Sequence, residues 1–368
     1  MSTRDRKPAS APPARRPVLG NDPFARGAAP RAAPPPPETS PEAEPHEKAV
    51  LTPRPTPPVP DPSMGAGEAR LAEELRRAGP AAYADELRVL LVRLLPALRD
   101  ALSPLASLAS LIGAPARLDE HGMDRDLPIR ARAVLDFFLD TWWRVEVRGA
   151  ALLPERPVVV VANHGGALAW DALVLRVAGA RPPASRELRP LLDPRALAAP
   201  IIGPLLVRMG AAPLRPEVAL SFLERGTSIA LFPEGPRDAP RPWSDRYRIT
   251  RFGRGGFARM AALAGAPIVP CAIVGSEEAS APFDRRGWLA ESLRLPLLTS
   301  TPALPLAAPL GWLPLPSRWS VRFGEPIAPP PSGRADDAAA MATAGEQVRN
   351  ELQRMLDVDL ASRRSVFL

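Results

Sequence analysis

Short apolar runs separated by polar or glycine-rich turns predict alternating strands and helices from about residue 119 onward. The run 158–161 consists of four consecutive valines, which is typical of a strand buried on both faces. Further strands are predicted at 144–148, 228–232, 268–274 and 319–323. Helices are predicted at 127–143, 172–177, 216–225, 256–263 and 336–356. This alternation favours an α/β domain over residues 119–360, with a largely parallel sheet flanked by helices.

The first 118 residues divide into two segments of different composition. Residues 1–65 are rich in proline and poor in apolar residues other than alanine, so we predict a disordered tail. Residues 66–118 carry leucines at helical spacing, interrupted by Gly79-Pro80 and Pro96, which predicts a helical segment of two or three amphipathic helices. Packing against the α/β domain is the favoured use of these helices, and contact with a membrane surface is the alternative.

Polar residues follow the central valine strand directly, at Asn163 and His164, and two glycines come next. Open α/β sheets place ligands at this end of their strands. Asp171 lies seven residues after His164, which on a continuous helix is a separation of about 10 Å along the axis. We therefore predict a compact turn at the glycines and a helix beginning near 168–170, whose first turn returns Asp171 to the imidazole.

A carboxylate on one imidazole nitrogen fixes the tautomer and raises the basicity of the other nitrogen. His164 with Asp171 is therefore suited to take a proton from an attacking hydroxyl. No serine or cysteine stands beside His164, which favours direct transfer to an acceptor alcohol. The alternative is a buried histidine bonded to a backbone carbonyl, with Asp171 as a helix cap, and the motif alone does not separate the two.

Two later turns supply further candidate ligands. The strand at 228–232 runs into a turn where Glu234 is suited to accept from a hydroxyl, Gly235 allows close approach and Arg237 is suited to bind phosphate. An earlier turn ends in Arg215, which is another potential anion ligand.

Taken in order, these motifs resemble the four-block pattern of the glycerolipid acyltransferases, a superfamily that includes glycerol-3-phosphate and lysophosphatidate acyltransferases. The blocks are Asn163-His164 with Asp171, the turn ending in Arg215, Phe232-Pro233-Glu234-Gly235, and Pro267-Ile268-Val269-Pro270. The segments 247–257 and 274–278 are similar to a bacterial branch related to the diacylglycerol acyltransferases. The resemblance covers about residues 118–328. Six residues separate His164 from Asp171 where the family usually has four, and Pro236 stands where it usually has Thr or Ser.

The resemblance implies transfer of a fatty acyl group from an acyl thioester to a hydroxyl of a glycerolipid such as lysophosphatidate. It implies that His164 is the general base and Asp171 its partner. It also implies that Pro270 shapes the acyl pocket, and that the glycerol-phosphate part of the acceptor contacts Arg215, Glu234 and Gly235. The donor, acyl-coenzyme A or acyl carrier protein, is a substrate, and no cofactor or metal is expected. A catalytically silent lipid-binding protein on the same fold and a thioesterase-like hydrolase are the alternatives.

Composition and charge limit the classes of partner that are expected. Lys plus Arg total 47 and Asp plus Glu total 40, and this formal charge of +7 suits an anionic membrane surface or an anionic substrate. The sequence has no basic stripe interleaved with aromatic residues, so no nucleic-acid partner is expected. Cys271 is the single cysteine, which excludes an intramolecular disulfide and a cysteine metal cluster. The three histidines lie far apart in sequence, which argues against a histidine metal site.

Residues 295–317 carry no charge, yet prolines interrupt them too often for a membrane-spanning helix. We predict an irregular apolar loop that lines an acyl channel or lies on a bilayer, where Trp312 suits the interface. Burial in the domain core is the alternative. We therefore expect a cytoplasmic protein bound peripherally to the inner face of the cell membrane.

Overall fold

The computed structural model describes residues 62–77, 84–102, 117–165, 169–182, 184–199, 202–235, 243–250, 252–279, 314–363 and 365–367. Within these residues the chain forms a seven-stranded, largely parallel sheet flanked by helices, as the sequence predicts. The strands are β1 (Glu146–Arg148), β2 (Val159–Ala162), β3 (Leu188–Leu192), β4 (Ala212–Pro213), β5 (Ser228–Leu231), β6 (Ile268–Val274) and β7 (Ser320–Phe323).

The strand order across the sheet is β1-β7-β6-β2-β5-β3-β4. Neighbouring strands are parallel except β6 and β7, which pair antiparallel. β2 lies between β5 and β6, with Val161 opposite Leu231 on one side and Pro270 on the other. Because β2 and β5 end at the same level, the turns that follow them meet at one edge of the sheet.

The helices connect the strands and cover both faces. They are α1 (Pro62–Arg77), α2 (Ala84–Leu102), α3 (Leu127–Arg130), α4 (Arg132–Asp136), α5 (Trp170–Ala180), α6 (Pro194–Leu197), α7 (Ile202–Arg208), α8 (Pro216–Glu224), α9 (Gly256–Ala264), α10 (Ser276–Ala279) and α11 (Ala338–Ser362). A π-helical segment, Phe137–Trp142, continues α4. The predicted helix at 127–143 is therefore present, with a break at Ala131.

The valine run faces two hydrophobic clusters. Val158 and Val160 pack into the cluster that contains the apolar side of α5. Val159 and Val161 pack into the cluster formed with α8, α9 and α11. Both faces of β2 are thus covered, which accounts for β-branched side chains at every position rather than at alternate ones.

Strands β3 and β4 and helices α6 and α7 lie in a region for which the sequence pattern predicts no elements. β3 is all buried, yet it contains Arg189 and Pro190, which break the apolar run. Arg189 is tolerated because its guanidinium donates to the Gly210 carbonyl at 2.7 Å and to Asp119 at 2.6 Å. Tertiary pairing of a buried arginine therefore overrides the local pattern.

Two helices near the N-terminus extend past prolines at which the sequence pattern predicts no helix. α1 begins at Pro62, inside the stretch 1–65 that is predicted to be disordered, and residues 1–61 lie outside the described residues. Proline fits the first position of a helix because its missing N–H would have no partner there. Pro96 is predicted to interrupt a helix, but it lies inside α2. Burial of Leu87, Leu90 and Leu94 against the domain stabilises α2 despite the bond that Pro96 removes.

Residues on both sides of the predicted α/β domain, 119–360, pack against its core. The buried leucines of α2 belong to the same hydrophobic cluster as the strands, which confirms core packing as a use of these helices. At the other end, α11 continues to Ser362, and Val366 and Phe367 are buried in that cluster. Helix α2 thus contributes to the domain core.

The uncharged run 295–317 is described only from Pro314 onward. There Leu315 and Ser317 are buried, and the Pro314 carbonyl accepts a hydrogen bond from the Trp142 indole at 2.8 Å. Burial in the core, the alternative for this run, holds for these few residues; Trp312 lies outside the described residues. Among the helices that the structure describes, none has the length and apolar character needed to cross a bilayer.

Removing residues in steps tests the role of α1. A chain that begins at Pro62 should keep the thermal unfolding midpoint of the full chain, because residues 1–61 offer few core-forming side chains. A chain that begins at Ala84 should unfold several degrees lower. It loses Arg76, whose guanidinium donates to the Arg246 carbonyl at 3.1 Å and to the Asp357 carboxylate at 2.5 Å.

Calorimetry of the three chains measures both effects. Equal midpoints for the chains beginning at Pro62 and Ala84 would contradict the structural role of α1.

Candidate active site

The residue after β2, Asn163, fixes the direction of the chain as it leaves the sheet. Its side-chain amide donates to the Ile273 carbonyl at 2.8 Å, and its amide oxygen accepts from the Ile273 N–H at 2.8 Å. The amide therefore replaces a peptide group and extends the pairing of β2 with β6 beyond Ala162. Asn163 is 1% exposed, so an apolar replacement would leave two buried backbone groups without partners.

His164 and Asp171 meet in the geometry that the sequence predicts. The imidazole Nδ1 lies 2.7 Å from Asp171 Oδ2. The same carboxylate oxygen accepts the Gly165 N–H at 2.7 Å, and Oδ1 accepts the Ala172 N–H at 2.9 Å. Asp171 is buried and His164 is partly exposed, with 11% of its side chain accessible. The alternative of a histidine bonded to a backbone carbonyl does not describe this Nδ1.

α5 carries Asp171 in its first turn. Ala169, just before the helix, has φ of 50°, a left-handed conformation that costs a non-glycine residue about 1 kcal/mol. The ring centroid of Trp170 lies 5.9 Å from that of Trp143, which lies 5.1 Å from that of Trp319, and both pairs are tilted. These aromatic contacts hold the start of α5, and Asp171 in its first turn lies beside the histidine.

Two residues of the turn after β5 contact His164. Glu234 is buried, and its Oε1 accepts the backbone N–H of His164 at 2.9 Å. The Phe232 ring lies 5.4 Å from the imidazole, centroid to centroid. Gly235, with φ of 73°, closes the turn through its N–H to the Phe232 carbonyl at 3.1 Å. Glu234 is thus bonded to the backbone of His164, and Gly235 closes the turn that carries Glu234.

The other predicted site residues are not brought to His164 by any contact of the described residues. Arg215 is exposed and lies between β4 and α8. Because β5 and β3 separate β4 from β2, the strand that leads to Arg215 lies about 14 Å from β2. Pro270 lies within β6, and a side chain at Gly324 would touch its ring and Met355 of α11. Arg237 lies outside the described residues.

Two residues of this edge belong to the resembling segments, but the sequence assigns neither of them a role of its own. Asn163 opens the first block, and an amide that follows a buried strand is able to imitate a peptide group. Ser276, the first residue of α10, packs against Gly165. Its contact depends on two turns far apart in the chain, and local spacing gives no signal for it.

Comparison with known proteins finds a matching family model and similar mycobacterial proteins. An acyltransferase family model matches residues 144–274, which run from β1 through β6 and include His164, Asp171 and Glu234. The uncharacterized protein Rv0502 of Mycobacterium tuberculosis is 41% identical over 255 residues, covering 68% of this chain and 71% of the relative. The uncharacterized protein ML2427 of Mycobacterium leprae is 38% identical over 281 residues, covering 72% of this chain and 77% of the relative.

Among solved structures, the 1-acyl-sn-glycerophosphate acyltransferase PlsC of Thermotoga maritima is similar at 17% identity and a TM-score of 0.36. The match covers 62% of this chain and 84% of that protein, and it is too weak to carry an argument. The mycobacterial relatives share sequence over more than two thirds of their length, and the family model spans the strands that form the site. The chain therefore belongs to the acyltransferase family.

Proposed function

We propose that the protein transfers a fatty acyl group from an acyl thioester to a hydroxyl of a glycerolipid, with His164 as general base. The observation that carries the proposal is the 2.7 Å contact between His164 Nδ1 and Asp171 Oδ2 at the carboxyl end of β2. The family supplies acyl transfer, and the pair supplies a base with a fixed tautomer. The resemblance of the four motifs favours a glycerolipid acceptor such as lysophosphatidate.

The reaction needs one base and no covalent enzyme intermediate. His164 Nε2 takes the proton of the acceptor hydroxyl while the hydroxyl oxygen attacks the thioester carbonyl carbon. The tetrahedral intermediate collapses, the C–S bond breaks, and the departing thiolate takes the proton from the imidazolium. Asp171 stabilises the imidazolium while it exists, because its carboxylate holds Nδ1–H. The donor is acyl-coenzyme A or acyl carrier protein, and it leaves as the free thiol.

Glu234 serves in this proposal by holding the backbone of His164. Its Oε1 accepts the His164 N–H, so the carboxylate stabilises the turn whether or not its second oxygen also contacts the acceptor. Arg215, and Arg237 beyond the described residues, remain candidates for the acceptor phosphate. Pro270 remains a candidate for the acyl pocket.

The proposed site also requires access to lipid. α2 has a second apolar surface opposite its buried leucines, where Val89, Val92 and Leu95 are 56%, 70% and 49% exposed. Exposed Arg88 and Arg93 lie beside it, and the chain as a whole carries a formal charge of +7. An apolar strip flanked by arginines fits the surface of an anionic bilayer, so we propose that α2 contacts the membrane there.

Removing either member of the central pair should abolish most transfer without unfolding the protein. His164→Ala removes the base and should lower kcat by about two to four orders of magnitude. Asp171→Asn should be comparably severe, because an amide does not hold the same tautomer. His121→Gln and Asp336→Asn, at positions outside the site, are matched controls that should retain activity.

The measurement is acyl transfer from one labelled acyl-coenzyme A to a panel of lysophosphatidate, diacylglycerol and simple alcohols, with circular dichroism as a check of folding. Wild-type turnover by folded His164→Ala would overturn the mechanism. Free fatty acid formed equally with and without acceptor would identify a hydrolase. Binding of lysolipid without any turnover by the wild-type protein would identify a lipid-binding protein.

Polar substitution on the exposed side of α2 should weaken membrane binding. The double variant Val92→Ser, Leu95→Ser should lower co-sedimentation with anionic phosphatidylglycerol vesicles by roughly tenfold, since two apolar side chains no longer insert. Leu263→Ser, which changes a 41% exposed leucine on α9, is the matched control. Added salt should weaken binding of all three proteins through the arginines. Unchanged co-sedimentation of the folded double variant would exclude this surface.

A further inference from the structure

The turn that carries His164 is in tight contact with α10. A Cβ added to Gly165 would stand 1.8 Å from Ser276 Oγ and 2.4 Å from Ser276 Cβ, far inside contact distance. The next nearest atom, the backbone nitrogen of Glu277, would be 3.1 Å away. The φ of Gly165 lies outside the left-handed region, so space rather than backbone conformation requires glycine here. Ser276 therefore limits where the backbone of Gly165 is able to lie.

α10 is fixed by a buried charged network behind it. The Glu278 carboxylate is fully buried and contacts the guanidinium of Arg363 at 2.8 Å, that of Arg246 at 3.3 Å, and the Tyr247 hydroxyl. Burial alone would raise the pKa of Glu278, but Arg363 and Arg246 outweigh it and hold the pKa below its usual value. The carboxylate is therefore ionised and bound from two directions, which resists movement of α10.

Hydrogen bonds to the backbone at the start of α10 add to this restraint. The Gly275 N–H donates to the Tyr247 hydroxyl oxygen at 2.7 Å, and the Gly275 carbonyl accepts from the Ser317 hydroxyl at 2.7 Å. Glu277 accepts the Tyr247 N–H at 3.0 Å. Ser276 is 3% exposed, and among the described residues its hydroxyl has no hydrogen-bond partner. Its contribution at this point is therefore its volume.

The position of Gly165 matters because of one shared oxygen. Asp171 Oδ2 accepts the Gly165 N–H and also lies 2.7 Å from His164 Nδ1. The N–H draws charge from the oxygen that stabilises a protonated imidazole. A Gly165 that moved away would leave more negative charge facing His164, and the imidazole would hold its proton more firmly.

We propose that Ser276 is a positioning residue, which seats Gly165 so that its N–H stays on Asp171 and thereby sets the basicity of His164. The importance of this role for catalysis rests on the proposed function. A less basic His164 releases its proton more easily to the departing thiolate. Ser276 acts through Gly165 and Asp171 and has no direct contact with the reacting atoms in this assignment.

The test measures the titration of His164 directly. The chain has three histidines, so protein labelled with 15N-histidine gives three pairs of imidazole nitrogen signals, which His164→Gln and His121→Gln assign. The carboxylates around the turn are Asp171 of α5, Glu234 after β5, and Glu277 and Glu278 of α10. The Glu278 carboxylate is paired with Arg246. Glu234 accepts the His164 N–H and Glu277 accepts the Tyr247 N–H, and none of the substitutions replaces either carboxylate.

Gly165→Ala should raise the titration midpoint of His164 by on the order of one pH unit, because the new Cβ pushes residue 165 away from Ser276 and takes its N–H off Asp171. The double variant Gly165→Ala, Ser276→Gly should return the midpoint toward that of the wild type, because the nearest remaining atom is the Glu277 nitrogen at 3.1 Å. Gly333→Ala, where a Cβ meets nothing within 4 Å, is the matched control.

A midpoint that is not raised by Gly165→Ala, or a rise that Ser276→Gly does not reverse, overturns the proposal. If Gly165→Ala does not fold, Ser276→Val approaches the contact from the other side and should raise the midpoint, and an unchanged midpoint there overturns it equally. The readout does not depend on turnover. A wild-type protein without acyl transfer would therefore refute the proposed function while the titration still decides the role of Ser276.

Discussion

The buried end of β2 imposes the constraint on which the site depends. A strand covered on both faces and paired on both edges leaves its last backbone groups out of reach of water, and each must find a partner. Asn163 pairs with the backbone of β6, Glu234 accepts the His164 N–H, and Asp171 accepts the Gly165 N–H. The candidate site residues are therefore also the hydrogen-bond partners of this backbone, so the same bonds serve the fold and the site.

This double use explains which features the sequence makes predictable. The valine run and the polar end of the strand lie next to one another, so the local pattern is enough to predict β2 and the return of Asp171 to His164. The glycine turn between them lies in part outside the described residues. β3 escapes prediction because the burial of Arg189 depends on Asp119 and Gly210, which are distant in sequence. Pro96 is the opposite case, because the local sequence predicts a helix break there that the structure does not show. The leucines of α2 pack against the α/β domain and stabilise the helix through Pro96.

The predicted site residues divide in the same way. His164, Asp171, Glu234 and Gly235 meet because parallel neighbours β2 and β5 end at one level, which follows from the fold class. Whether Arg215 joins them depends on how far β4 lies from β2, and the strand order, not the motif order, sets that distance. A motif pattern thus predicts the chemistry of the edge, whereas the spacing of its members across the sheet follows only from topology.

The longer separation of His164 from Asp171 has a physical consequence at the start of α5. A seven-residue separation would place the side chains too far apart on a helix, so the chain turns and enters α5 through Ala169 in a left-handed conformation. Such strain persists only where the surroundings determine the conformation. Here the Trp170 ring is held against Trp143, and the Asp171 carboxylate is held by three donors. The packing of α5 thus stabilises the strained entry, and this leaves the carboxylate a single position beside the imidazole.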